Sequence, residues 1–198
     1  MNNIISELIC TRISHDLIGN IGAVSNAVEL LEEGDMDFLD DIKSILKTSS
    51  SVLSARLKFF RMAFGLANAN LEDIEQVQEV TKAYLNTVGG KNSPTISFKL
   101  SDTQYSKAIM LIVMAISDLL VKGGKIEVWK QGEKVCIAVE EEARLATEKL
   151  AQSLSVLKGE CQDFSAQDAP ILYLLEVCRA GGFKLSCSRN PVLSFILE

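Results

Sequence analysis

The sequence predicts an α+β protein in two parts, a long helical hairpin followed by a two-layer α/β sandwich. Three observations carry this expectation. Apolar residues recur at steps of three and four over the first 64 positions. A small, polar stretch then breaks the pattern. Beyond it, helical and alternating segments are mixed rather than strictly repeated, which points to a mostly antiparallel sheet.

From about Asn3 to Glu33 the apolar positions Ile9, Ile13, Leu17, Ile21, Val24, Val28 and Leu31 form one stripe, ended by the turn signal Glu32-Glu33-Gly34-Asp35. A second run from Phe38 to Phe64 repeats the spacing through Ile42, Ile45, Leu46, Ser49, Val52, Leu53, Leu57 and Phe60. At 1.5 Å per residue each helix would be about 40 Å long. Joined by a short turn they make an antiparallel hairpin, which alone leaves part of both stripes wet. A second copy buries them, so a homodimeric four-helix bundle is expected over residues 1–68.

Residues 71–198 would form the second unit. Gly65 to Asn70 reads as a linker. Leu71 to Val88 reads as a helix stopped by Gly89-Gly90, and Thr95 to Leu100 as a strand. Ser101-Asp102-Thr103-Gln104 offers a capping box for a helix reaching Val121, apolar nearly all round and so buried. Lys125–Lys130 and Lys134–Val139 suit a hairpin about Gly132. Helices over Ala143–Leu157 and Pro170–Ala180 follow, then strands over Lys184–Arg189 and Val192–Leu197 turning at Asn190-Pro191.

Composition narrows the function. A net charge of -6 and a pI near 5.0 disfavour a nucleic-acid partner. The strongest apolar run, Ala108 to Val121, is broken by Ser117 and Asp118 and falls short of the ~20 residues of a membrane span. No signal peptide is apparent. Cys10, Cys136, Cys161, Cys178 and Cys187 are odd in number and scattered, which fits neither a disulfide framework nor a zinc site. A cytoplasmic protein without membrane contact is expected.

His15, the single histidine, stands in Ser14-His15-Asp16-Leu17. At about 100° per residue it lies nearly opposite the apolar stripe. Its own face carries Arg12, Gly19, Gly22 and Asn26. Glycine inside a helix costs about 1 kcal/mol relative to alanine, and two of them beside the only histidine suit close approach by another surface. Folding the hairpin brings Ser54 level with His15, flanked by Lys58 and Arg61 among further cations. A solvated face is the plain alternative for those charges; a docking face for an acidic partner is the functional one. Phosphoryl transfer would need an exposed imidazole with one nitrogen free for in-line attack, and a carboxylate such as Asp16 to orient the ring or accept a proton. No GxSxG elbow or metal-ligand pattern supports another chemistry.

The order of elements resembles the sensor histidine kinases. Ile13-Ser14-His15-Asp16-Leu17 looks like their phospho-acceptor box, Leu111 to Ile126 like their N-box segment, and Ile171 to Ser188 like the helix and strand after their ATP lid. The ATP boxes themselves are missing. Ala115 stands at the N-box asparagine, Glu140-Glu141-Glu142-Ala143-Arg144 replaces the Asp-x-Gly-x-Gly turn, and Ser165-Ala166-Gln167-Asp168-Ala169-Pro170 replaces the glycine-rich lid. That combination is similar to the ChpT-type bacterial histidine phosphotransferases, through Cys10, Arg12, His15, Asp16, Leu17 and Ile18 and through Ala55 to Gly65.

The resemblance implies a degenerate histidine-kinase ATPase-like (Bergerat) second domain and a phosphorelay enzyme without ATP binding or autokinase activity. His15 would shuttle a phosphoryl group between the receiver domain of a hybrid kinase and response regulators, docked over Arg12, Ile18, Gly19, Gly22, Asn26, Ser54, Lys58 and Arg61. The chain itself would hold no cofactor, magnesium residing in the receiver. Gly19 replaces the polar residue of kinase phosphatase chemistry, which puts that activity in doubt. A non-catalytic pseudokinase scaffold that dimerises and binds receivers is the alternative, and a divergent autokinase a further one.

Overall fold

The computed structural model describes residues 2–34, 38–65 and 71–198. Helices α1 (Asn2–Glu32) and α2 (Leu39–Phe64) pair along their length, as their stripes predict. Asp35 of the expected turn and residues 66–70 of the expected linker lie outside the described residues.

The second unit comprises α3 (Ile74–Leu85), β1 (Thr95–Lys99), α4 (Ser106–Leu119), β2 (Lys125–Gln131), β3 (Lys134–Val139), α5 (Thr147–Lys158), α6 (Ala169–Gly181), β4 (Leu185–Ser188) and β5 (Ser194–Leu197). The strands form one sheet in the order β1-β2-β3-β5-β4, with β1 and β2 parallel and the other pairs antiparallel. The fold is α+β with a mixed, mostly antiparallel sheet, as the order of segments implied. Ile126, Val128, Val135, Ile137, Phe195 and Leu197 alternate along their strands into the same buried core as α4. Helix α4 is buried almost all round, as its long apolar run from Ala108 to Ile116 demands.

Three element ends depart from the sequence reading. The capping box at Ser101–Gln104 does not form, and α4 starts at Ser106 without a side-chain cap. The Gln104 amide that Ser101 was expected to cap donates instead to Asp102 at 3.0 Å, and Lys130 Nζ donates to the same carboxylate at 2.9 Å, so a local turn takes the donor the cap needed. Helix α3 begins at Ile74, where Asp73 accepts from the amides of Glu75 and Gln76. Helix α5 begins only at Thr147, because the preceding residues pair back: Leu145 bridges Leu120, and the amides of Val121 and Ala146 donate to Arg144 and Leu119. Gly182, at φ 69°, closes α6 in the left-handed conformation that favours glycine.

The junction of hairpin and sandwich is a shared core. Phe59, Phe60, Met62 and Ala63 of α2 are buried with Val77 and Tyr84 of α3 and with α4. Phe59 stacks on Tyr84 with ring centroids 3.9 Å apart. Lys107 donates to the Gly65 carbonyl and lies over the Tyr173 ring, which also meets Phe64. The far end of the hairpin is different. Ile21, Val28, Leu31, Phe38 and Ile45 are exposed on the protomer, Phe38 at 56%.

Candidate functional site

His15 is exposed on α1. It lines a groove of about 450 Å3 with Arg12, Asp16, Asp118 of α4, and Ser165, Ala166 and Gln167. The stretch at the lid position is thus one wall of the histidine groove. Its shape follows from its sequence. Asp168 accepts from the Ser165 amide at 2.8 Å and from its hydroxyl at 2.9 Å, while Ser165 Oγ accepts from the Gln167 amide. This reciprocal cap holds Ala166–Asp168 as one tight turn of 3-10 helix leading into α6, with Pro170 in the first turn of α6.

The floor is a chain of charges. Both terminal nitrogens of Arg12 donate to Asp118, Nη1 to Oδ2 and Nη2 to Oδ1, each at 2.7 Å. Arg12 Nε donates to Asp16 Oδ2 at 3.0 Å. Arg12 is only 7% exposed. Burial works against its charge, yet the hydrogen bonds and charge of Asp118, with the charge of Asp16, hold the guanidinium above its usual range. Burial pushes the Asp118 carboxyl upward, opposed by the hydrogen bonds and charge of Arg12. Beneath, burial raises the Tyr84 hydroxyl. A second arginine ties the site to the sandwich: Arg56 donates to the Asp16 carbonyl, to Thr87 Oγ1 at 3.1 Å and to the Thr87 carbonyl at 3.1 Å.

The structure sorts the predicted residues into three groups. His15, Ile18, Gly19, Gly22 and Asn26 are all exposed on α1, Ile18 at 64%. A Cβ added at Gly19 or Gly22 would meet nothing within 4 Å, so nothing in the protomer requires either glycine. Arg12 and Asp16 belong to the groove but are internally engaged. Arg12 was expected to contact a partner; it is instead buried and clamped to α4, because a guanidinium fork beside two carboxylates satisfies itself there. Ser54, Lys58 and Arg61 were expected level with His15. Within a protomer they line a separate groove with Gln76, Glu79 and Ala83 of α3, which shares no lining residue with the histidine groove.

Sequence reading missed Asp118 as a site residue, along with the wall at Ser165–Gln167 and the Arg56–Thr87 tie. Asp118 did leave a signal. A carboxylate inside the most apolar helix needs a cationic partner, and the cation one face away from the apolar stripe of α1 was Arg12.

Ala115, at the N-box position, lines a neighbouring cavity of about 210 Å3 with Asp118, Lys149, Gln152, Asp168 and Ile171. At the Asp-x-Gly-x-Gly position, Glu140 Oε1 accepts from the Lys125 amide. Among the described residues no cluster of three or more His, Cys, Asp or Glu side chains is placed to hold a metal ion, and no helix is long and apolar enough to cross a membrane. All five cysteines are free.

No family model matches the chain. A 65-residue stretch is 46% identical to the protein phosphotransferase ChpT of Brucella abortus (strain 2308), covering 33% of this chain and 30% of that protein. A solved bacterial phosphotransferase superposes with a TM-score of 0.78 at 26% identity, over 100% of this chain and 97% of that one. A third of the sequence and the fold of the whole chain are thus each similar to a bacterial phosphotransferase.

Proposed function

We propose that the chain is a histidine phosphotransferase of a two-component phosphorelay, with His15 as its phosphoryl carrier. The observation that carries this is the lone histidine, exposed beside two glycines whose missing side chains nothing within the protomer explains. A receiver domain needs just such a bare flank to bring its aspartyl phosphate in line with the imidazole. In the transfer, a ring-nitrogen lone pair forms the N–P bond. The P–O bond breaks, and its electron pair stays with the receiver's aspartate. The positive charge developing on the ring is met by the carboxylates of the groove, and the reverse step passes the group to a second receiver. The magnesium this chemistry uses resides in the receiver.

The partners are the receiver of a hybrid kinase and response regulators, docking over His15, Ile18, Gly19, Gly22 and Asn26. The Ser54, Lys58 and Arg61 groove offers a second, cationic contact. ATP plays no part in this reading: Ala115 cannot ligand magnesium, and a side-chain-capped turn stands at the glycine-rich lid position. The exposed apolar rows of α1 and α2 support a homodimer through a four-helix bundle, and the protein works in the cytoplasm.

The decisive experiment mixes the protein with a receiver carrying labelled aspartyl phosphate. Acid-labile label on this chain, lost in His15→Ala, is expected. Gly19→Arg should keep the fold and block transfer. Tight receiver binding with no label would favour the scaffold reading.

A further inference from the structure

The carboxylate beside His15 is not free. Asp16 is held by Arg12, and a guanidinium that gripped it with two nitrogens would neutralise it and fix it away from the imidazole. The observed geometry avoids that. Asp118 takes both terminal nitrogens of Arg12 at 2.7 Å, and Asp16 receives only Nε at 3.0 Å. Asp118 lies on α4, 106 residues from Arg12 in sequence, yet lines the same groove as His15.

Resting on the phosphotransfer reading, we infer that Asp118 is a positioning residue for His15. By drawing the fork of Arg12 to itself, it leaves Asp16 singly bound and able to turn to the ring. The sandwich thereby reaches into the chemistry of the hairpin through one ion-pair chain, Asp118–Arg12–Asp16. Arg12 must be arginine for this, because lysine is a point charge without a fork. The tie from Arg56 to the Asp16 carbonyl fixes the backbone while leaving the carboxylate its freedom. One guanidinium between two carboxylates also leaves a net negative charge in the groove, which suits a ring turning cationic as it is phosphorylated.

The test uses the full chain and three forms: wild type, Asp118→Asn, and Asp118→Asn with Arg12→Gln. Asp118→Asn gives up one acceptor, so Arg12 closes on Asp16. Transfer from a phosphorylated receiver should slow roughly tenfold, about 1.4 kcal/mol in the barrier, with receiver affinity unchanged. The double variant removes the captor and should recover most of the rate. His15 being the only imidazole, its 15N resonances report the same change without any receiver: they should move in Asp118→Asn and return in the double variant. Wild-type rate and unmoved resonances in Asp118→Asn overturn the inference. So do rate and affinity falling together without recovery, which would make the ion pair a structural clamp. A wild type that takes no label overturns the phosphotransfer reading instead, while the imidazole resonances still decide whether Asp118 governs the surroundings of His15.

Discussion

The two ends of the hairpin are built from the same helices and treated oppositely by the fold. At the near end, Phe59, Phe60, Met62 and Ala63 vanish into the sandwich core and Arg12 is locked to Asp118. At the far end, Ile21, Val28, Phe38 and Ile45 face outward. Periodicity is equally regular in both, so amphipathicity sets only which side of a helix is apolar. What covers that side is decided by tertiary contacts. The near end of α2 is largely covered within one protomer, although Leu57 stays exposed, whereas the far end has the surface of an unfinished bundle.

Four perturbations test that contrast. The largest effect belongs to the near end: Phe59→Ala, emptying a fully buried site stacked on Tyr84, should cost about 3–5 kcal/mol in chemical denaturation. A loss under about 1 kcal/mol would break the comparison. At the far end, Val28→Asp with Ile45→Asp should halve the mass seen by light scattering while the circular dichroism of the protomer is retained. A mass unchanged from a wild-type dimer would place the interface elsewhere.

A smaller effect separates the sandwich from both ends. The amide of Gln104 and the ammonium of Lys130 hold the Asp102 carboxyl below its usual range. Its contribution is therefore present above the unfolded value of about 4 and lost as pH falls through the lower folded value. Asp102→Asn should cost less than about 1 kcal/mol at neutral pH, converging with wild type in acid. A gap that persists at low pH would assign the effect to packing. The smallest change is expected from Lys43→Ala, whose partner Asp40 is fully in water at 3.4 Å. No resolvable shift in the denaturation midpoint is expected there, against the buried pair of Arg12 at the opposite end.

Much of the fold was legible in the sequence because its periods are clean. The two long helices, the β2–β3 hairpin about Gly132 and the stop at Gly182 all stand where spacing and glycines placed them. The misses share a cause. The Gln104 amide could serve a Ser101 cap or a turn on Asp102, and a lysine on a strand 28 residues after Asp102 helped hold that carboxylate in the turn. The late start of α5 depends on Leu120 bridging Leu145, a pairing no local window contains. At the site, His15 was visible as a singular residue on a bare face. Arg12 was visible too, but its purpose was not, because the partner lies on α4. Ser54, Lys58 and Arg61 were placed by folding two helices in the mind as an isolated hairpin. The position of α3 against α2, which gives them their own groove, is a tertiary fact.

The shared core at the foot of the hairpin bears on the thermodynamics of any encounter. Phe59 and Tyr84 stack across the boundary of the two units, and Arg12 and Arg56 stitch α1 to α4 and to the turn after α3. A protein docking over the histidine groove therefore meets one preformed surface drawn from both units. Little ordering entropy is left to lose on association. Calorimetry of such an encounter should show a heat-capacity decrement matching the contact area alone, without the excess that accompanies coupled folding. Rigid-body contacts of this kind can form and part quickly, which is what a carrier that must leave one partner for the next requires.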